Sequence, residues 1–467
     1  MMLEGPIDLV TVDGRVLRAQ KSVERELARL ATKEGRDEAR SRDPFEGVRD
    51  VAGQSTFKAL RELQAGPIEA PHRDALLRWV HELLQVRVAW DLAVDEADAI
   101  HSPDPSLAVS VARDEESAIA KTFDEARRAL ILAPTPAVAE LALQRLVDLA
   151  TPVAAVRKEL RARRFEAARR LGLDHPWALA TTKSASELAA LARAVLDATE
   201  PLARELHKDL RRRASGVVPG PALMIHDAFV RDAREGWPAR LGVRWLEEVF
   251  RAIAPRPPRV ATLPPALGGA SFLRAAAQWG AALRFAGIAR TLPFALARDP
   301  YPIEAHVFGG ALAVAVADRA FAKRKLGLPA RSADAHARAL DRALFVTLRT
   351  IAAELLAGMH DTAREDELEE LTARLFGAPL QASLAAAWSF GGFAGSMRVD
   401  APARFVAALC THGFVSTLRN RFDEDWFDNP RAGAHLASIG AGPVWQGEAP
   451  EADAIVGVAR AFEEMLG

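Results

Sequence analysis

From Ser22 onward the apolar residues of this chain return every three or four positions, a spacing that predicts helices along nearly its whole length. ALFVTLRTIAAELLAG, 343–358, shows it most clearly: Leu344, Leu348, Ile351, Ala352 and Leu355 share one face, and Gly358 ends the run. Residues 271–286 repeat the pattern with Phe272, Ala276, Trp279, Leu283 and Ala286, behind Ser271 as the expected N-cap. Only the first stretch departs from it. IDLVTVDGRVL alternates around Asp13-Gly14 and reads equally as a short hairpin or as an irregular arm.

Breakers divide the pattern. HSPDPS (101–106) cannot lie inside a helix, and Pro with Thr marks helix starts at 134–136 and again at 151–152. VRKELRARRFEAARRLG (156–172) is a long basic amphipathic helix closed by Gly172. ASGVVPGPA (214–222) is a loop, and APRPPRVATLPPALGGAS (254–271) is the longest irregular segment, with room for one short strand in PRVATLP. The expected fold is all-α and two-lobed with at most a few short strands. An N-terminal helical region would occupy 1–130 and a larger helical domain 131–467.

Composition agrees, since Ala, Leu, Arg and Glu dominate and are strong helix formers. Acidic and basic residues cancel to a net charge of −1, which argues against a nucleic-acid partner. The longest basic cluster, Arg211–Arg213, reads as a solvated helix face. Cys410 is the only cysteine, so no internal disulfide forms. MMLEGPIDLVTVDG lacks the features of a signal peptide. No apolar run nears the roughly 20 residues that span a bilayer; GGALAVAVADRAF is cut by Asp318 and Arg319. These features predict a soluble, cytoplasmic protein without a membrane partner.

The segment with chemical interest is AQWGAAL, 277–283. A helix reading HExGHAL there would place two histidines one turn apart to bind zinc, with the glutamate polarising the bound water. Here Ala277 and Ala281 stand at the histidine positions, and Gln278 stands at that of the base. Glutamine keeps the shape of glutamate but accepts no proton. Glu304, 27 positions after Ala277 (304 − 277), suits a third ligand from the next helix. A second near-match, HVFGGAL (306–312), keeps one histidine but has Val307 and Gly310 at the other two chemical positions. Of the eleven histidines the closest two, His72 and His81, are nine positions apart, so no local zinc nucleus exists elsewhere.

Four segments in order carry a family resemblance. They are VRKELRARRFEAARRLGLDHPWALA (156–180), AQWGAALRFAG (277–287), YPIEAHVFGGAL (301–312), and the run from RVDAPARFVAAL to NRFDEDWFDNPRAGAHL (398–436). Together they make the chain similar to the helical gluzincin metallopeptidases, oligopeptidase F and thimet oligopeptidase, and more distantly to carboxypeptidase Taq and angiotensin-converting enzyme. The resemblance implies a channel between helical lobes that admits short peptides. It also implies a C-terminal tyrosine that stabilises the tetrahedral intermediate, where this chain has Val399, Ala401 and Phe405. Its one tyrosine, Tyr301, lies elsewhere.

The expected function is therefore that of a catalytically inactive peptidase homologue. It would bind a peptide or protein partner in or near the channel, with no zinc and no other cofactor. Trp279 and His306 would be cleft residues, with Ala277, Gln278, Ala281 and Glu304 marking the degenerate site. Two alternatives stay open: acid–base chemistry by Asp299, Glu304 and His306, which crowd into one stretch, or a structural protein whose cleft has filled. Residues 226–250 and 420–433 mix aromatics with both charges and are candidate interfaces.

Overall fold

The computed structural model describes the chain outside residues 1–6, 102–120, 134, 214–220, 222–234, 239–241, 255–256, 259–262, 264–268, 362–363, 390–399, 444–451 and 467. The described residues form helices and their connections, with no strand among them. The breaker HSPDPS after His101, most of ASGVVPGPA and most of PRVATLP lie outside the described residues.

The first stretch is neither a hairpin nor an irregular arm. Asp8 accepts hydrogen bonds from the backbone of Val10 and Thr11 and starts α1 (Leu9–Arg29). Val12, Val16, Ala19 and Val23 are buried along it at helical spacing. That stripe outlasts the brief alternation around Asp13-Gly14, and so the helix wins. Asp13 serves a distant segment instead: its carboxylate accepts from the backbone N–H of Phe294 and of Ala295, both at 2.8 Å. It thereby holds the single turn α12 (Phe294–Ala297, numbered in chain order below).

Three hydrophobic cores organise the rest. α1 packs with α2 (Lys33–Ala39), α3 (Gln54–Glu62), α4 (Ala70–Val88) and α5 (Trp90–His101) around Val16, Phe57, Leu76 and Leu83. The second core collects α6 (Phe123–Leu132), the first half of α7 (Pro136–Arg170), α8 (Ala185–Ala198) and α9 (Glu200–Arg213). The third begins with α10 (Val243–Val249) and α11 (Gly269–Ala286). It continues, past α12, through α13 (Ile303–Ala317) and α14 (Arg319–Lys325). α15 (Ala330–Ala357) runs from the third core into the second, where it meets α16 (Glu365–Phe376) and α17 (Ala382–Ser389). α18 (Ala401–Phe422) bridges the same two cores, with α19 (Pro430–Gly440) on the third and α20 (Ala452–Leu466) on the second.

The cores cut across the division at 130/131. Ile100 and Phe123 belong to the second core, and Leu160, Ala167 and Leu171 of α7 belong to the first. α7 can span both because it does not restart at Pro152. Thr135 caps it, and Pro152 lies inside one continuous helix of 35 residues. Gly172, at φ +70°, follows its end.

Two further sequence expectations change. Ser271 is not a cap; it lies inside α11, buried, with no partner for its hydroxyl among the described residues. Among the described aromatics of the candidate interfaces, Phe250, Trp426 and Phe427 are buried, and Trp237 is partly buried, stacked on Phe272 with ring centroids 3.9 Å apart; Phe229 lies outside the described residues.

Past His306, α13 is apolar all round because α11, α15 and α18 bury most of it. Asp318 then ends it and caps α14, which leaves at a 70° bend. No single helix among the described residues is long and apolar enough to cross a membrane. α11 and α13 run antiparallel with their backbones touching. A Cβ on Gly280 would stand 2.6 Å from the carbonyl oxygen of Phe308, and one on Gly309 would stand 2.5 Å from that of Ala277. Gly309→Val must therefore push the two helices apart. It should lower unfolding stability by about 1–3 kcal/mol, read from the midpoint of urea denaturation. An unchanged midpoint would mean that the helices have slack at this contact.

Candidate functional site

α11, α13, α15 and α18, with Phe462 of α20, enclose a pocket of about 600 Å3. Small side chains make the space: Ala277 on α11, Gly310 and Ala313 on α13, Ala343 on α15, and Ala407 and Ala408 on α18. Leu273, Val314, Leu344 and Leu348 add bulkier apolar wall. Polar groups are few and come mainly from α11 and α18: Arg274, Gln278, His306, Arg404 and His412 among them.

Of the sequence-predicted site positions, the pocket brings together Ala277, Gln278 and His306. Ala281 and Glu304 do not line it. Glu304 is 8% exposed and receives Nε of Arg284 at 2.5 Å. Arg284, fully buried, also donates to the carbonyl oxygens of Gly440 at 2.9 Å and Pro443 at 3.1 Å. The guanidinium supplies positive charge beside the carboxylate expected to ligate a metal. Trp279 is not a cleft residue either. It is fully buried in the third core and stacks on Phe250, with centroids 5.2 Å apart. On a helix, neighbouring positions point about 100° apart. Gln278 in the pocket therefore sends Trp279 into the core.

The stretch 299–306 likewise disperses its chemistry. Asp299 pairs with Arg78 of α4 at 2.8 Å, and burial, partly offset by that arginine, raises its carboxyl to about 6. His306 stays beside the pocket, 3.9 Å from Asp400; burial lowers its pKa, with the aspartate opposing. It is therefore a neutral imidazole at pH 7. Arg404, at the same end, is paired with Glu354 at 3.2 Å. Three side chains adjacent in sequence thus serve three separate partners.

The zinc implied by the resemblance does not fit these residues. Ala277 and Ala281 offer no donor atom, Gln278 offers a neutral amide, and Glu304 is held by a buried cation. Among the described residues no group of three or more His, Cys, Asp or Glu side chains is placed to hold a metal ion. Of the positions matched to the family's tyrosines, Ala401 and Phe405 do not line the pocket. Phe405 is fully buried in the second core, Ala401 is half-buried, and Val399 lies outside the described residues. Tyr301 is also fully buried, its hydroxyl 3.0 Å from Nδ1 of His81, and burial raises its pKa well above the ordinary value. The Cys410 thiol is pushed up by burial to about 11, which leaves it a poor nucleophile.

Sequence reasoning missed Arg284, Arg274 and Arg404. One signal was available for the first: Arg284 interrupts an apolar run between Leu283 and Phe285, and a charge there needs a buried partner.

No family model matches the sequence, and no curated protein matches it. Two solved structures align over nearly the whole chain. One is a carboxypeptidase from Pyrococcus furiosus, with 12% identity, 96% of this chain and 99% of that chain covered, and a TM-score of 0.46. The other is an oligoendopeptidase-F from Enterococcus faecium, with 10% identity, 97% of each chain covered, and a TM-score of 0.45.

Two outcomes follow from the charge arrangement. Arg284→Met should cost about 3–5 kcal/mol by removing the buried cation that faces Glu304, and adding Glu304→Leu should recover most of it. A double-mutant cycle in chemical denaturation measures both. Asp299, with its folded pKa raised above the unfolded 3.8, stabilises the protein most at low pH. Relative to Asp299→Asn, the wild type should lose stability as pH rises from about 4 to about 6 and change little above that. A flat difference between the two proteins across that window would refute the assignment.

Proposed function

We propose that this chain is a pseudo-peptidase: a cytoplasmic, metal-free binding protein whose pocket holds a ligand without hydrolysing it. The observation behind this reading is the joint state of the positions a zinc helix would use. Ala277 and Gln278 wall an open, largely apolar cavity, while Glu304 is turned away from it onto Arg284. Hydrolysis needs a base within reach of a water and donors aimed at the developing oxyanion. Gln278 cannot take the proton, and His306 has no carboxylate closer than Asp400 at 3.9 Å among the described residues.

The acid–base alternative loses support from the same geometry, because Asp299, Glu304 and His306 face different partners. The filled-cleft alternative loses support from the cavity itself, whose volume falls within the range of small-molecule sites. A peptide or protein segment is the occupant that the resemblance implies.

The test is made on protein purified without a metal-binding tag. Zinc per chain should stay well below one equivalent after incubation and dialysis, and a mixture of fluorogenic peptides should survive intact with zinc present. Stoichiometric, dialysis-resistant zinc with cleavage abolished by a chelator would overturn the reading.

A further inference from the structure

The pocket walls specify more than an apolar occupant. Arg274 and Gln278 lie one helical turn apart on α11, both exposed and both lining the cavity. Among the described residues no carboxylate pairs with Arg274. The charge that acts on it is another cation, Arg127, which is itself bonded to Asp124 at 2.8 Å. Arg404 differs: Glu354 at 3.2 Å and the nearby Asp400 already balance it. The pocket therefore has one uncommitted positive group, with an amide donor beside it and small apolar residues beyond.

The remaining polar wall, His306, His412 and three threonines, offers a peptide backbone few partners. The hydroxyls of Thr347, Thr350 and Thr411 donate to carbonyls of their own helices, those of Ala343, Val346 and Ala407, at 2.7–2.8 Å. All the walls are helical, so their backbone groups are already bonded internally and present no strand edge to an extended chain. A peptide would bury an N–H and a C=O per residue with few partners, whereas a ligand with one polar end would not.

We propose that the pocket binds a small free carboxylic acid with an unbranched apolar tail. The carboxylate meets the Arg274 guanidinium and the Gln278 amide. The tail lies among Ala277, Gly310, Ala313, Ala407 and Ala408. This rests on the reading of the pocket as a binding site and replaces the peptide as its occupant.

Isothermal titration of the full chain with decanoate tests it, with decan-1-ol and an apolar tripeptide amide in parallel. Decanoate should bind the wild type. Decan-1-ol should bind roughly tenfold more weakly or worse, and Arg274→Gln should weaken decanoate by a similar factor. Ala408→Phe should block both tails, and circular dichroism confirms that each variant is folded. Equal binding of acid and alcohol, or undiminished binding by Arg274→Gln, overturns the proposal. Binding of the tripeptide without decanoate also overturns it while leaving the binding reading intact; binding of none of the three removes both.

Discussion

The contact between α11 and α13 sets the terms for the rest of the third core. Two glycines let the backbones touch, so α13 lies deep enough to be covered by α15 and α18 on its other sides. Gly310 repeats the device toward α18, where a Cβ would stand 2.5 Å from the Thr411 hydroxyl oxygen. At one end of the antiparallel pair the Arg284–Glu304 bridge locks the register and ties in the turn after α19. Farther along the pair the walls widen into the pocket, because alanines and a glycine face one another there. Close approach and open space thus come from the same small residues on different faces of the helices.

Buried arginines tie the helices of the cores to one another. Arg349 on α15 is 2% exposed and donates to the Leu196 carbonyl at 3.0 Å, the Thr199 hydroxyl at 2.7 Å and the Arg374 carbonyl at 2.9 Å. It thereby satisfies acceptors near the ends of α8 and α16, whose last carbonyls have no partner within their own helices. Arg157 on α7 meets Glu96 of α5 at 2.7 Å, with both side chains almost fully buried. Such groups are costly to bury alone, so each fixes the position of its partner's helix. The pocket lies inside this rigid frame and does not depend on any one loop among the described residues.

The same frame explains why chemistry that looks concentrated in the sequence is scattered in space. Asp299 precedes α13 and faces the first core's α4; Glu304, in the first turn of α13, faces α11; His306 faces the pocket. A few residues of helix rotate a side chain through most of a circle, so nearness along the chain says little about nearness of function. What remains around the pocket is His306 with Gln278 and two arginines, Arg274 and Arg404, among largely apolar walls.

The helical character of the chain was legible from its sequence, because periodicity is a local property. The stripe of 343–358 and the close at Gly172 lie where the pattern placed them. The absence of a histidine pair and of a proton-accepting base at 278 was equally legible, since no fold can supply missing atoms. Local signals failed where a distant partner decided the outcome. The stretch around Asp13-Gly14 reads equally as a hairpin or an irregular arm, whereas in the fold it is helix, and Asp13 anchors α12, whose Phe294 lies 281 positions away in sequence. Trp279 read as a cleft residue until its face of α11 met Phe250. Glu304 read as a ligand position until Arg284 proved to be its partner. Only the packing of helices against one another decided which face of each looks into the pocket and which into the core. That choice depends on contacts between residues far apart in the chain, and no local spacing encodes it.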